Sequence, residues 1–239
     1  AGHRDAAVRG AAILALGMAG KGRDLLRAGV LDPSQERDAL VRAYAALALG
    51  IWGNADAAPA LLCCLEKDPD ATVKGCAALA LGKTQGKGRV EALTEALENR
   101  RYGSVSDYAA VGLGLSKEPS ALPPLSKALS SKQKDVLIGG CIGLTLLGNP
   151  GAADPLSKAA QHRQYSDVRE FAPMALGKLR PPSALDRLIA GLDDAQPYVR
   201  QSAALGLAIL GDPKACPILQ RALTEKDAET RSLIALAFD

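Results

Sequence analysis

The sequence predicts an all-α, right-handed solenoid of about seven to eight two-helix repeats, and three observations point to it. A thirteen-residue motif keeps returning: VRGAAILALGMAG from Val8, VRAYAALALGIWG from Val41, VKGCAALALGKTQ from Val73 and VRQSAALGLAILG from Val199. Its anchor valine recurs at Val8, Val41, Val73, Val105, Val136, Val168 and Val199, with Thr230 next, at intervals of 31 to 33 residues. Composition fits closely packed helices, because 48% of residues are hydrophobic but only 3% aromatic. Ala, Leu, Val and Ile carry the apolar mass where many globular cores rely on aromatic bulk.

Each repeat carries two helical patterns. The inner one follows the anchor for about three turns, and position +8 reads Leu16, Leu49, Leu81, Leu113, Leu144, Leu176, Leu207 and Phe238. The outer one precedes the anchor, with Leu61, Leu93, Leu125, Leu156, Leu188 and Leu219 in one column. Apolar partners four residues later complete an amphipathic stripe. The joints GNPGA at 148–152 and GDPKA at 211–215 place Gly at a helix end, Asn or Asp at the next cap and Pro in the first turn. Position +4 is mostly Ala, and position +7 alternates Ala with Gly112, Gly143 and Gly206. A helical Gly costs about 1 kcal/mol relative to Ala, so the +7 glycines imply close approach of neighbouring helices. Pro173, inside VREFAPMALG, removes an amide donor and is expected to kink its helix.

The segments DAAVRGAAILALG at 5–17, DALVRAYAALALG at 38–50 and DATVKGCAALALG at 70–82 resemble the short HEAT-like repeats first described in phycobiliprotein lyase subunits. The resemblance runs along essentially the whole chain and implies a single solenoid over 1–239. It is poor for function, since such repeats serve as scaffolds, adaptors, lyase subunits and enzyme accessory domains. It also implies a role for the basic residue after the anchor, Arg9, Arg42, Lys74, Arg169, Arg200 and Arg231. Accompanied by Asp5, Asp38, Asp70 and Asp227 four residues earlier, this column is expected to form a ladder of charged hydrogen bonds between repeats. Ser106 and Leu137 interrupt it.

At about 100° per residue, positions +2, +3, +6 and +10 share the side of the inner helix away from the core. In this repeat class that side lines the concave face. The candidate partner-binding residues are therefore Tyr44, Leu47, Leu79, Tyr108, Val111, Ile138, Ile142, Phe171 and Met174. Position +6 is apolar in every repeat, so it either tilts into the seam between inner helices or forms an open groove. A second candidate is a basic ridge on the loops within the central repeats, made of Arg100, Arg101, Lys132, Lys134 and Arg163. Such a ridge would attract an acidic protein or a nucleic-acid backbone.

Net charge is only +3, too mild by itself to imply nucleic acid. The two histidines, His3 and His162, are far apart, and no HExxH, CxxC or Cys/His cluster is present. GKGR at 20–23 and QGKGR at 85–89 do not fit a phosphate-binding loop and read as ordinary turns. The five cysteines read as reduced small hydrophobes, favouring a reducing, cytoplasmic setting. No run of about 18 apolar residues suggests a membrane span. Both ends fall inside apolar inner helices, so the chain is expected to be a segment of a longer protein, or to stack end to end. These readings predict a non-catalytic scaffold or adaptor, with neither cofactor nor metal, that binds a protein or peptide segment along its concave face. The alternatives are a bilin-lyase-type subunit or enzyme accessory domain, with a tetrapyrrole in the groove near Cys76, and a nucleic-acid or acidic partner on the ridge.

Overall fold

The computed structural model describes residues 5–22, 31–98, 105–162, 164–225 and 231. Among the described residues the regular structure is helical, without strands. The chain divides into two compact units, residues 1–124 and 125–239. In the first, the inner helices are α1 (Ala6–Met18), α2 (Ala39–Trp52), α4 (Ala71–Lys83) and α6 (Ser106–Ser116), with outer helices α3 (Ala58–Lys67) and α5 (Arg89–Glu98). Helix α7 (Leu122–Ala128) spans the change of unit. In the second, inner helices α8 (Lys134–Leu147), α10 (Ser166–Leu179) and α12 (Pro197–Leu210) alternate with outer helices α9 (Ala153–Ala159), α11 (Ala184–Gly191) and α13 (Ala215–Glu225).

Each unit is an α-solenoid stack. Within the first, α1 packs on α2, α2 on α4 and α4 on α6, while α3 and α5 cover α4 and α6. Within the second, α8 packs on α10 and α10 on α12, with α9, α11 and α13 outside them. From α2 onwards the anchor valines are buried, as are the leucines at +8 from Leu49 to Leu207. Outer-helix Leu61, Leu93, Leu125, Leu156, Leu188 and Leu219 are buried as well. Helix α1, packed on α2, keeps Val8 exposed.

The inner helices meet through their smallest residues. A Cβ on Gly17 would lie 2.6 Å from the Cβ of Ala48, and one on Gly50 would lie 2.6 Å from the Cα of Ala80. On Gly82 it would strike the carbonyl of Gly112, and on Gly177 that of Gly206. Position +9 of one repeat thus rests on position +7 of the next, backbone against backbone. The close approach implied by the +7 glycines is present, and the +9 glycine is its other half. Only a residue without a Cβ fits there without displacing a helix.

Helix ends follow the cap chemistry of the sequence. The carboxylates of Asp5, Asp38 and Asp70 accept the first free amides of α1, α2 and α4. Gly53, Gly148 and Gly211 close α2, α8 and α12 with φ of 63°, 70° and 63°, where a side chain is disfavoured. Lys117 and Arg180 take the same left-handed conformation without being glycine. Helical structure continues through Pro173 across α10, and its ring is buried.

The seam between α4 and α6 gives a direct test. Gly82→Ala should lower stability by about 1–3 kcal/mol through overpacking, read as a lower urea midpoint. An unchanged midpoint would mean that the seam has slack.

Candidate functional site

Position +6 does not tilt out of reach of solvent. Leu14, Leu47, Leu79 and Val111 in the first unit are half-buried, as are Ile142 and Leu205 in the second, and Met174 is 41% exposed. The α-helical register explains this. Positions 0, +4, +5 and +8 turn toward the outer helices and the stack, so +6 falls on the uncovered side. Next to it lies position +3, where Tyr44, Cys76 and Phe171 are half-buried and Tyr108 is 39% exposed. Ile138, at +2, is also half-buried.

The tyrosines are seated rather than projecting. A Cβ on Gly10 would lie 2.5 Å from the Tyr44 ring, and one on Gly75 would lie 3.0 Å from the Tyr108 ring. Each ring therefore lies on a glycine of the preceding inner helix and keeps its other side toward the open face. In the first unit, Tyr44, Leu47, Cys76, Leu79, Tyr108 and Val111 form one apolar face across three consecutive inner helices. In the second unit the same register holds Ile142, Phe171 and Met174, with Ile138 beside it at +2.

The charged ladder exists, with other partners than the sequence suggested. Arg9 pairs through two hydrogen bonds with Glu36, at 2.9 and 3.0 Å, and Arg169 likewise with Asp194, at 2.7 and 3.0 Å. Arg42 and Asp68 make a fully buried pair, at 2.8 and 2.9 Å, and Arg42 also donates to the carbonyls of Glu36 and Arg37. The acid lies two residues before the cap of the next inner helix. The carboxylates of Asp5, Asp38 and Asp70 accept from amides of their own helices.

At the two interruptions of the basic column the residues are buried. Ser106 donates to the carbonyl of Ala96, and Leu137 is buried. Arg89, 8% exposed, donates to the carbonyls of Gly82 and Thr84 at the end of α4, to that of Ser116 at the end of α6, and to Glu118 at 2.6 Å. It gathers two helix C-termini, whose free carbonyls favour a cation. In the sequence, QGKGR has the form of an ordinary turn and does not mark Arg89. Its one signal was a charged residue falling on the first turn of an outer helix.

Of the basic ridge, Arg100, Arg101 and Arg163 lie outside the described residues. Lys132 is exposed, and its carbonyl accepts the Tyr165 hydroxyl at 3.5 Å. Lys134 forms an ion pair with Asp167, so its charge is already matched within the second unit.

Burial pushes the thiols of Cys64 and Cys141 up to about 12, and that of Cys76 upward too. Cys63 and Cys216 are exposed. Among the described residues no group of three or more His, Cys, Asp or Glu side chains could hold a metal ion. Nor is any helix there long and apolar enough to cross a membrane.

A family model described as HEAT repeats matches residues 34–107, 90–172 and 162–238. The chain belongs to that family. It is 46% identical over 56 residues to phycocyanobilin lyase subunit alpha of Picosynechococcus sp. (strain ATCC 27264 / PCC 7002 / PR-6), a stretch covering 23% of this chain and 21% of that protein. The match therefore spans about a fifth of the relative's length. Its fold is similar to that in the complex of CpcE and CpcF of phycocyanin lyase from Nostoc sp. PCC7120, with a TM-score of 0.53 and 23% identity over 63% of this chain and 98% of that one. It is also similar to a designed armadillo repeat protein in complex with the peptide (KR)4, with a TM-score of 0.52 and 19% identity over 75% of this chain and 97% of that one.

These likenesses correct two expectations, that the chain is a non-catalytic scaffold and that it is not an enzyme. The named relative is a lyase subunit and the named complex belongs to a lyase. The scaffold reading rested on a missing His/Cys constellation. HEAT-repeat columns report packing, however, and do not decide between a scaffold and a lyase subunit.

Two measurements check this account of the site. Native protein treated with a thiol reagent near neutral pH should label Cys63 and Cys216, with Cys64 and Cys141 reacting only after denaturation; early labelling of either buried thiol would refute their burial. The second concerns acid. Arg9 holds the Glu36 carboxyl below its usual range, helped by the Asp38 amide. Burial opposes the charge on Asp194, but Arg169 and the Gln196 amide outweigh it and hold that carboxyl down as well. The folded chain thus binds these protons less tightly than the unfolded one. Their stabilisation is complete above the ordinary carboxylate range and is lost as pH falls through the lowered values. Unfolding measured between about pH 7 and about pH 3 should show a steep loss that Asp194→Asn makes shallower; equal slopes would exclude Asp194 as a contributor.

Proposed function

We propose that the chain is a bilin-lyase-type subunit, or a domain of one, that holds an open-chain tetrapyrrole on the apolar face of its first unit. The observation that carries the reading is the run Tyr44, Leu47, Cys76, Leu79, Tyr108 and Val111, each with part of its side chain open, on three adjacent inner helices. A bilin is long, flat and conjugated. It needs an extended apolar bed more than a deep hole, and aromatic surfaces fixed in place favour stacking. The match to a phycocyanobilin lyase subunit supports the choice of ligand.

In this reading the face acts by holding the pigment extended and shielding one side from water, so that its reactive double bond is presented to an incoming group. Cys76 packs against the pigment; burial pushes its thiol upward, which disfavours the thiolate that acts as nucleophile. The attacking group then comes from a second protein. The likeness to a chain solved in a two-protein lyase complex supports a working assembly with such a partner.

Titration of phycocyanobilin into the chain should give a saturable change in its visible absorbance. Leu79→Asp should weaken binding by about tenfold, as expected from losing about 1.4 kcal/mol of apolar contact. Leu205→Asp, in the same register of the second unit, should leave it unchanged, with far-UV circular dichroism confirming that both variants fold. A wild-type chain that leaves the pigment spectrum untouched would reject the reading.

A further inference from the structure

The apolar face of the first unit leads into a polar pocket. One turn beyond Leu79 on α4 is Lys83, and one turn beyond Val111 on α6 is Leu115, since residues four apart share a helix face. Lys83 and Leu115 both line a pocket of about 450 Å³, together with Gln85, Arg89 and Glu118. Column and pocket are thus one continuous surface, apolar along the helices and polar at their C-terminal ends.

The pocket's charges are arranged unequally. Arg89 is buried and fixed by the carbonyls of Gly82, Thr84 and Ser116, with Glu118 as its carboxylate partner. Lys83 is exposed. Two cations against one carboxylate leave the pocket with one excess positive charge, and the flexible, solvent-facing Lys83 is the group able to offer it. In the turn that lines the pocket, Gly86 has φ of 149°, and a Cβ there would meet Ala58 at 3.2 Å. The amide of Gln85 is tied to the carbonyl of Gly53 at 3.2 Å.

We infer that this pocket is a carboxylate subsite that sets the direction of a bound bilin, with Lys83 pairing with a propionate while the conjugated rings lie on Leu79, Tyr108 and Val111. The inference rests on the bilin reading and specifies which end of the face receives the charged side chains of the pigment. Lys83 is a positioning residue. It fixes orientation and takes no part in bond making.

The test compares phycocyanobilin with its dimethyl ester, titrated into the wild-type chain, Lys83→Ala and Lys83→Arg, with visible absorbance as the readout. The wild type should bind the free acid about fivefold more tightly than the ester, the scale of one partly exposed ion pair. Lys83→Ala should bring the acid down to the affinity of the ester, and Lys83→Arg should restore the preference. Equal affinity of the wild type for both pigments, or a preference that survives in Lys83→Ala, overturns the subsite while leaving the bilin reading intact. Failure to bind either pigment overturns both.

Discussion

The structure depends on inner helices touching through their backbones. At each of four seams a glycine at +9 of one repeat lies against the +7 residue of the next, with no room for a methyl group at the glycine. Contact this close brings the anchor valines and the +8 leucines of adjacent repeats into a shared core. No repeat of this kind can shield its own apolar side, so burial comes from stacking. The register that turns 0, +4, +5 and +8 inward leaves +3 and +6 outward, and the open apolar face follows from the same packing rule.

Charge is handled separately from that core. The caps Asp38 and Asp70 satisfy amides of their own helices, while Glu36 and Asp68, two residues earlier, receive the arginine of the previous repeat. One acid fixes where a helix starts, and the other fixes that start against its neighbour. The Arg42–Asp68 pair is buried, with side chains 3% and 1% exposed. Losing either member would leave an uncompensated buried charge, so breaking the pair is strongly destabilising.

The fold was legible because it is written as columns. Spacing of Val, Leu and small residues marked the inner helices, and Asp, Gly, Asn and Pro marked most of their ends. The site was only half legible. Helical angle alone could not say whether +6 opened to solvent, which depends on how the outer helices cover each inner one. Partners 25 to 27 residues apart, such as Arg169 with Asp194 or Arg9 with Glu36, are not visible in a local motif, and the nearby Asp residues drew attention instead. Arg89 stayed hidden because a single arginine after GKG looks solvated until two helix ends are seen to converge on it. The lyase likeness was legible only through repeat segments such as DAAVRGAAILALG, whose columns report packing rather than chemistry.

The glycine seams also bear on how such a chain can change. Because Gly50 meets Ala80 whereas Gly82 meets the carbonyl of Gly112, the joints are similar without being interchangeable. Copying or deleting a repeat would keep the stack intact only where the new junction again sets a residue lacking a side chain against a matching small one. Growth of the array is therefore governed by pairs of neighbours, and a graft from elsewhere in the chain would have to bring half of its old junction with it.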